Sequence, residues 1–167
     1  KGFRGRGCVG VYLDDMYCGT VIYGNLFYRV VRAAFIGGGR DNTIENNIFV
    51  ECPRAVHIDN RAMGWASGSV EGTMKKRLEA MPYQEPPWTE RYPKLVGIWE
   101  DEPAVPKGNV VARNISVGEK WDDINSVARE HTTFQDNLWD EDPHFVDPQN
   151  RDFQLRDDSP AYRLGFK

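Results

Sequence analysis

The stretch Asn42-Thr43-Ile44-Glu45-Asn46-Asn47-Ile48-Phe49 decides how this chain folds, because it recurs. Thr20-Val-Ile-Tyr-Gly-Asn-Leu-Phe27 precedes it, and Asn109-Val-Val-Ala-Arg-Asn-Ile-Ser116 and Thr132-Thr-Phe-Gln-Asp-Asn-Leu-Trp139 follow it. Each segment carries an apolar residue, two variable positions, then Asn and an aliphatic residue. The asparagines stand at Asn25, Asn47, Asn114 and Asn137, in steps of 22, 67 and 23. The long step is one period plus about 45 inserted residues, since self-similarity at a fixed period marks stacked units. A second alignment supports the first: Arg32-Ala-Ala-Phe-Ile-Gly-Gly38 matches Arg54-Ala-Val-His-Ile-Asp-Asn60 at the same offset of 22. Gly10-Val-Tyr-Leu-Asp-Asp15 fits that slot with a slip of one residue.

Short β-branched or aromatic runs with in-out alternation, punctuated by Gly and Asn, read as strands. Two or three such strands per 22 residues predict an all-β fold, a right-handed parallel β-helix, with no leucine-rich LxxLxL consensus to suggest the other solenoid of similar period. At a sharp corner Asn tolerates the left-handed conformation. Its side-chain amide can also bond the same amide in the next coil, about 4.8 Å away.

Residues 61–107 interrupt the repeat and read as an insertion. Met74-Lys-Lys-Arg-Leu-Glu-Ala-Met81 has helical spacing, and Pro82, Pro86, Pro87, Pro93, Pro103 and Pro106 confine the remainder to extended or turn structure. Residues 140–167, with Asp142-Pro-His-Phe-Val-Asp147, Asp152-Phe-Gln-Leu and Ser159-Pro-Ala161, depart from the repeat and are expected to cap its last coil.

A net charge of −4 argues against a phosphate backbone as partner, so no nucleic acid is expected. No apolar run approaches a membrane span of about 18 residues, so no membrane partner is expected either. Cys8, Cys18 and Cys52 make neither a disulfide framework nor a metal-binding pair; buried thiols are expected, with a Cys8–Cys18 bridge as the alternative. The chain starts at Lys1 and enters patterned sequence at once, which reads as the C-terminal fragment of a larger protein whose N-terminal coils are missing partners of this one.

The Gly10–Asp15 run, Gly37-Gly-Gly-Arg-Asp-Asn-Thr-Ile-Glu-Asn-Asn47, Ala55-Val-His-Ile-Asp-Asn60 and the DPxF, DFxL and SPA tail motifs resemble bacterial right-handed parallel β-helix proteins. The resemblance is to glycoside hydrolase family 141 and the wider pectin-lyase-like group, over nearly the whole chain. It implies a secreted or periplasmic carbohydrate-active enzyme acting on a plant or algal polysaccharide or oligosaccharide. The fold itself hosts several reactions, so the reaction must be argued from the site.

In the aligned slot Asp14 and Asp15 face Gly37 and Gly38, and then Asp59 and Asn60. Two coils separate the acids by about 9 to 10 Å along the axis. Inverting glycosidases hold their carboxyl pair about 6.5 to 9.5 Å apart and retaining ones about 5 to 5.5 Å. The expected chemistry is therefore glycoside hydrolysis with Asp14 or Asp15 and Asp59 as acid and base, with inversion favoured. The glycines would leave room for a sugar ring. The bland alternative is that these aspartates bind corner amides or a calcium ion.

His57 projects from the same strand face as Asp59 and would bond a hydroxyl or tune the acid, unless it is simply a satisfied structural residue. Asn60, Arg61 and Trp65 follow where the insertion leaves the repeat; Arg61 would hold hydroxyls or a carboxylate and Trp65 would stack on a ring. Trp121-Asp-Asp123 falls loosely in the next slot, and Arg40 stands beside the glycines. Trp88 and Trp99 read as packing anchors. No cofactor is expected under this reading. A polysaccharide lyase is the runner-up, with calcium on the aspartates and Arg40 or Arg61 as base. A non-catalytic carbohydrate-binding or adhesin module is the third reading.

Overall fold

The computed structural model describes residues 8–118, 120–139 and 141–167. The described residues make four passes. The first contains β1 (Val9–Leu13), β2 (Val21–Tyr23) and β3 (Leu26–Tyr28), and the second β4 (Arg32–Gly37), β5 (Thr43–Glu45) and β6 (Ile48–Val50). The third contains β7 (Val56–Asp59), then the insertion, β8 (Asn109–Ala112) and β9 (Ile115–Val117). The fourth contains β10 (Asp122–Ile124) and β11 (Thr132–Gln135).

Each strand pairs in parallel with its counterpart in the adjacent pass. The sheets run β1-β4-β7-β10, β2-β5-β8-β11 and β3-β6-β9, the last extended by a bridge between Ile115 and Leu138. The offset of 22 read in the sequence is the register of β2 on β5, Ile22 against Ile44, and of β3 on β6, Phe27 against Phe49. The one-residue slip is the register of β1 on β4, with Tyr12 against Phe35.

Inward side chains stack in columns. Leu13, Ile36 and Ile58 line one wall of the core, Ile22, Ile44 and Val111 a second, and Phe27 and Phe49 a third. The two phenylalanine rings lie parallel at 5.1 Å. Burying one large aliphatic or aromatic side chain contributes about 1.5–3 kcal/mol.

The corners carry the expected amide ladder. The backbone N–H and side-chain Nδ2 of Asn25 both donate to Asn47 Oδ1, those of Asn47 to Asn114 Oδ1, and those of Asn114 to Asn137 Oδ1, at 2.9–3.0 Å. A second ladder links Thr20, Asn42 and Asn109. The left-handed conformation, however, falls one residue ahead of the first ladder, at Gly24, Asn46, Arg113 and Asp136. Turning the chain and bonding its polar groups are thus divided between neighbours. Such a φ costs a non-glycine residue about 1–2 kcal/mol, which the buried ladder bonds offset.

The insertion leaves β7 through a 3-10 turn (Arg61–Met63) and α1 (Ser67–Ser69). A π-type turn (Val70–Met74) then leads into α2 (Lys75–Glu79), followed by α3 (Trp88–Arg91) and a 3-10 turn (Pro93–Leu95). Helical structure thus begins earlier than the Met74–Met81 periodicity suggests. Met16, Ala62, Ala66 and Val70 form a small core of their own, with Met74 and Trp99 against it.

Beyond β10 comes α4 (Ser126–Glu130), whose Asn125 cap accepts from Val127 N at 3.0 Å. After β11 the tail forms β12 (Phe145–Asp147) and β13 (Asp152–Leu155), an antiparallel pair, and α5 (Pro160–Arg163), capped by Ser159. Phe145, Phe153 and Ala161 pack with Val50, Ile115 and Leu138, and Tyr28, Ile48 and Val117 lie against them. The tail therefore runs along the flank of β3-β6-β9.

This arrangement corrects the all-β right-handed parallel β-helix expected from the sequence. Among the described residues four sheets are present, three parallel and one an antiparallel hairpin, and helices interrupt them in the insertion, at α4 and at α5. The described residues form a mixed α/β-like arrangement. The repeat constrains only the residues that pair between passes; segments outside it follow their own helical periods and proline turns.

Candidate active site

Strand alternation aims the side chains beside the core columns at the outer face of the first sheet. Tyr12, Phe35, His57 and Asp123 are register partners on β1, β4, β7 and β10. Tyr12 stacks on Phe35 with ring centroids at 4.3 Å, and Phe35 meets the edge of His57 at 4.3 Å. At the next outward position Gly37 stands opposite Asp59.

Arg61 fills the space that Gly37 leaves. A Cβ at Gly37 would lie 2.6 Å from Arg61 Cζ, so the bare glycine seats a guanidinium and not the sugar ring expected there. The residue is buried, and its guanidinium gathers the three aspartates. Nη1 donates to Asp14 Oδ1 at 2.6 Å, Asp15 Oδ1 at 3.1 Å and the Tyr12 hydroxyl at 2.8 Å. Nη2 donates to Asp59 Oδ2 at 2.8 Å, and Nε reaches both Asp59 oxygens at 3.1 Å. The Arg61 backbone N–H adds a bond to Asp59 Oδ1 at 3.2 Å. Trp65, exposed, lies over the same guanidinium at 5.6 Å.

Burial alone would lower the Arg61 pKa, but its bonds to Asp59, Tyr12 and Asp15 outweigh that and hold it raised. The Tyr12 hydroxyl, together with the Asp15 amide and Arg61, holds the Asp14 carboxyl below its usual range. Oxygens of Asp15 and Asp59 sit on the two amino nitrogens of one planar guanidinium, so they are at most about 8 Å apart. That bound admits both glycosidase geometries. Asp14 and Asp15 each accept one bond from Arg61, that of Asp15 being the longer, and Asp15 also borders a largely apolar cavity of about 600 Å³ between the sheet edge and the insertion.

His57 Nδ1 is 2.9 Å from Asp123 Oδ2, and Arg54 Nε lies 2.9 Å from that same oxygen. The other ring nitrogen, Nε2, is 4.0 Å from Asp59 Oδ2. Burial pushes the imidazole below its ordinary value, against the pull of Asp123 and Asp59.

The structure thus brings Asp14, Asp15, Asp59, His57, Arg61 and Trp65 together. Asn60 is adjacent, at the start of the 3-10 turn, with no capping side-chain bond. Arg40 turns into the insertion, donating to the carbonyls of Asp101 and Glu102 and pairing with the Asp101 carboxylate. Trp121 packs against the core, stacked on Trp139 at 4.0 Å. Trp99 joins the insertion core and Trp88 packs on Tyr92. Cys8, Cys18 and Cys52 are all unbridged.

Tyr12 and Phe35 were findable, since they occupy the slot of His57 in the aligned repeats. Asp123 follows His57 by 66 residues where the asparagine step is 67, and that shorter corner blurs the alignment.

Among the described residues no group of three or more His, Cys, Asp or Glu side chains is placed to hold a metal ion. Among them too, no helix is long and apolar enough to cross a membrane. No family model, curated protein or solved structure matches the chain.

Proposed function

We propose that this chain carries the active face of a glycoside hydrolase acting on a neutral glycan. The observation that carries the reading is the convergence of Asp14, Asp15 and Asp59 on Arg61, flanked by exposed Tyr12 and Trp65. Hydrolysis of a glycosidic bond commonly uses carboxyl groups on both sides of the scissile bond and a flat apolar surface for the ring. Asp59, with both oxygens accepting from Arg61, belongs on the water side as a fixed carboxylate. Asp15, with one bond to Arg61 and open volume beside it, belongs on the leaving-group side as the acid. Asp14, whose pKa is lowered, serves Arg61 as a counter-charge.

Charge separates this reading from the lyase. With Asp15 protonated as the acid, the Asp14 and Asp59 carboxylates still outnumber the one guanidinium between them, which disfavours a uronate at that point of the face. The arginine base that a lyase needs is opposed by the raised pKa of Arg61, and Arg40 is committed to the insertion.

The test is release of reducing sugar from xylan and from fuco-oligosaccharides, against pectate as the anionic comparison. Asp15→Asn and Asp59→Asn are each expected to lower kcat/KM at least about 100-fold. Near-wild-type turnover in both, or an unsaturated product from pectate, overturns the assignment.

A further inference from the structure

Asp59 is already engaged by Arg61 in this setting. Its two oxygens already accept four hydrogen bonds from Arg61, the Nε–H being shared between them, so most of its acceptor sites are occupied. His57 lies beside it with the opposite disposition. Nδ1 faces the Asp123 carboxylate, which fixes the proton on that nitrogen and leaves the Nε2 lone pair unengaged on the Asp59 side. A gap of 4.0 Å between Nε2 and Asp59 Oδ2 is too long for a direct bond. It admits an oxygen displaced to the side that donates one hydrogen to each group.

We infer that His57 is the catalytic base of this face, that the nucleophilic water is held jointly by His57 Nε2 and Asp59 Oδ2, and that Asp123 and Arg54 are positioning residues. The inference rests on the glycosidase reading. In the step it assigns, the water oxygen bonds to the anomeric carbon while His57 Nε2 takes one of its protons. The bond from that carbon to the bridging oxygen breaks with its electron pair on the oxygen, which takes the Asp15 proton. Proton exchange with solvent resets the imidazolium and the Asp15 carboxylate. Asp123 stabilises the transient imidazolium, and Arg54 on the same oxygen fixes that carboxylate in place. The charged groups facing His57 are Asp123 and Asp59, which favour its protonated form, and Arg32, which opposes it. Direct attack by water predicts inversion at the anomeric carbon.

The experiment is the pH dependence of kcat/KM on the best of the xylan and fuco-oligosaccharide probes, for wild type, His57→Gln and Asp123→Asn, with the first-formed anomer read by proton NMR. His57→Gln is expected to lose about 100- to 1,000-fold and the acid limb that belongs to the base. Asp123→Asn removes a partner of the imidazolium, so the acid limb moves to lower pH, which a merely structural role would not do. Nitrogen-15 NMR of the wild-type imidazole is expected to show the proton on Nδ1 at neutral pH.

A wild type inert on every probe sinks the glycosidase reading and this inference with it. An active wild type whose His57→Gln variant stays within about threefold, an Nε2–H tautomer, or a retained anomer overturns the inference alone.

Discussion

At the scale of single residues, one missing methyl group organises the face. Gly37 lies where a side chain would collide with Arg61, and Arg61 in turn is the only cation within bonding distance of Asp14, Asp15 and Asp59 among the described residues. Alanine at position 37 must push the guanidinium off its seat, although the backbone there needs no glycine φ. We expect Gly37→Ala to destabilise the fold by about 1–3 kcal/mol, less than a fully buried ion pair because Asp14 and Asp15 are solvated. In an Arg61→Ala background the same change should cost nearly nothing, because the collision is gone. Urea unfolding of the four proteins in a double-mutant cycle measures this; additive costs would show that Gly37 and Arg61 are independent. The sequence marks Arg61 as a site residue but not its seat over Gly37. The glycines read as open space because Arg61 lies outside the repeat, and no alignment of repeats says that an inserted residue folds back over one.

At the scale of elements, the parallel strands are only three to six residues long, too short to fix their register by backbone bonds alone. The inward columns and the asparagine ladders supply the rest. This part was legible, since equal spacing of Asn25 and Asn47 and of Phe35 and His57 requires that the intervening residues fill one full pass. The ladder makes a graded prediction. Asn47, fully buried, accepts from Asn25 and donates to the carbonyls of Ile22 and Glu45 and to Asn114. Asn47→Ala strands at least two of those groups and should cost about 2–4 kcal/mol. Asn25 is exposed at the end of the row, so Asn25→Ala should cost about 1 kcal/mol or less. Equal losses of urea midpoint in the two variants would mean that the ladder contributes nothing beyond its separate turns.

At the scale of the whole molecule, the mixed class arises where the repeat stops. The insertion and the tail share no pairing positions with the strands, so their helices and the antiparallel hairpin could not be read from the period that gave the parallel sheets. The tail reads from sequence as a cap over the last pass, yet its apolar residues face the flank of three passes at once. Phe153 stands 5.3 Å from Tyr28 of the first pass, while its neighbours Val50 and Ile115 come from the second and third. A tail bound in this way ties early and late passes together, so its packing should weigh on the stability of the whole fold and not only on its own end. Phe153→Ala should therefore cost about 3–5 kcal/mol, in a single cooperative transition that includes the core tryptophans Trp121 and Trp139. Val146→Ala, on the exposed side of the hairpin, should stay within about 0.5 kcal/mol. Hydrogen exchange on Phe153→Ala gives the sharper measure: protection should fall in β3 and β6 as well as in the tail, and a loss confined to 141–167 would mean that the tail is a detachable appendage.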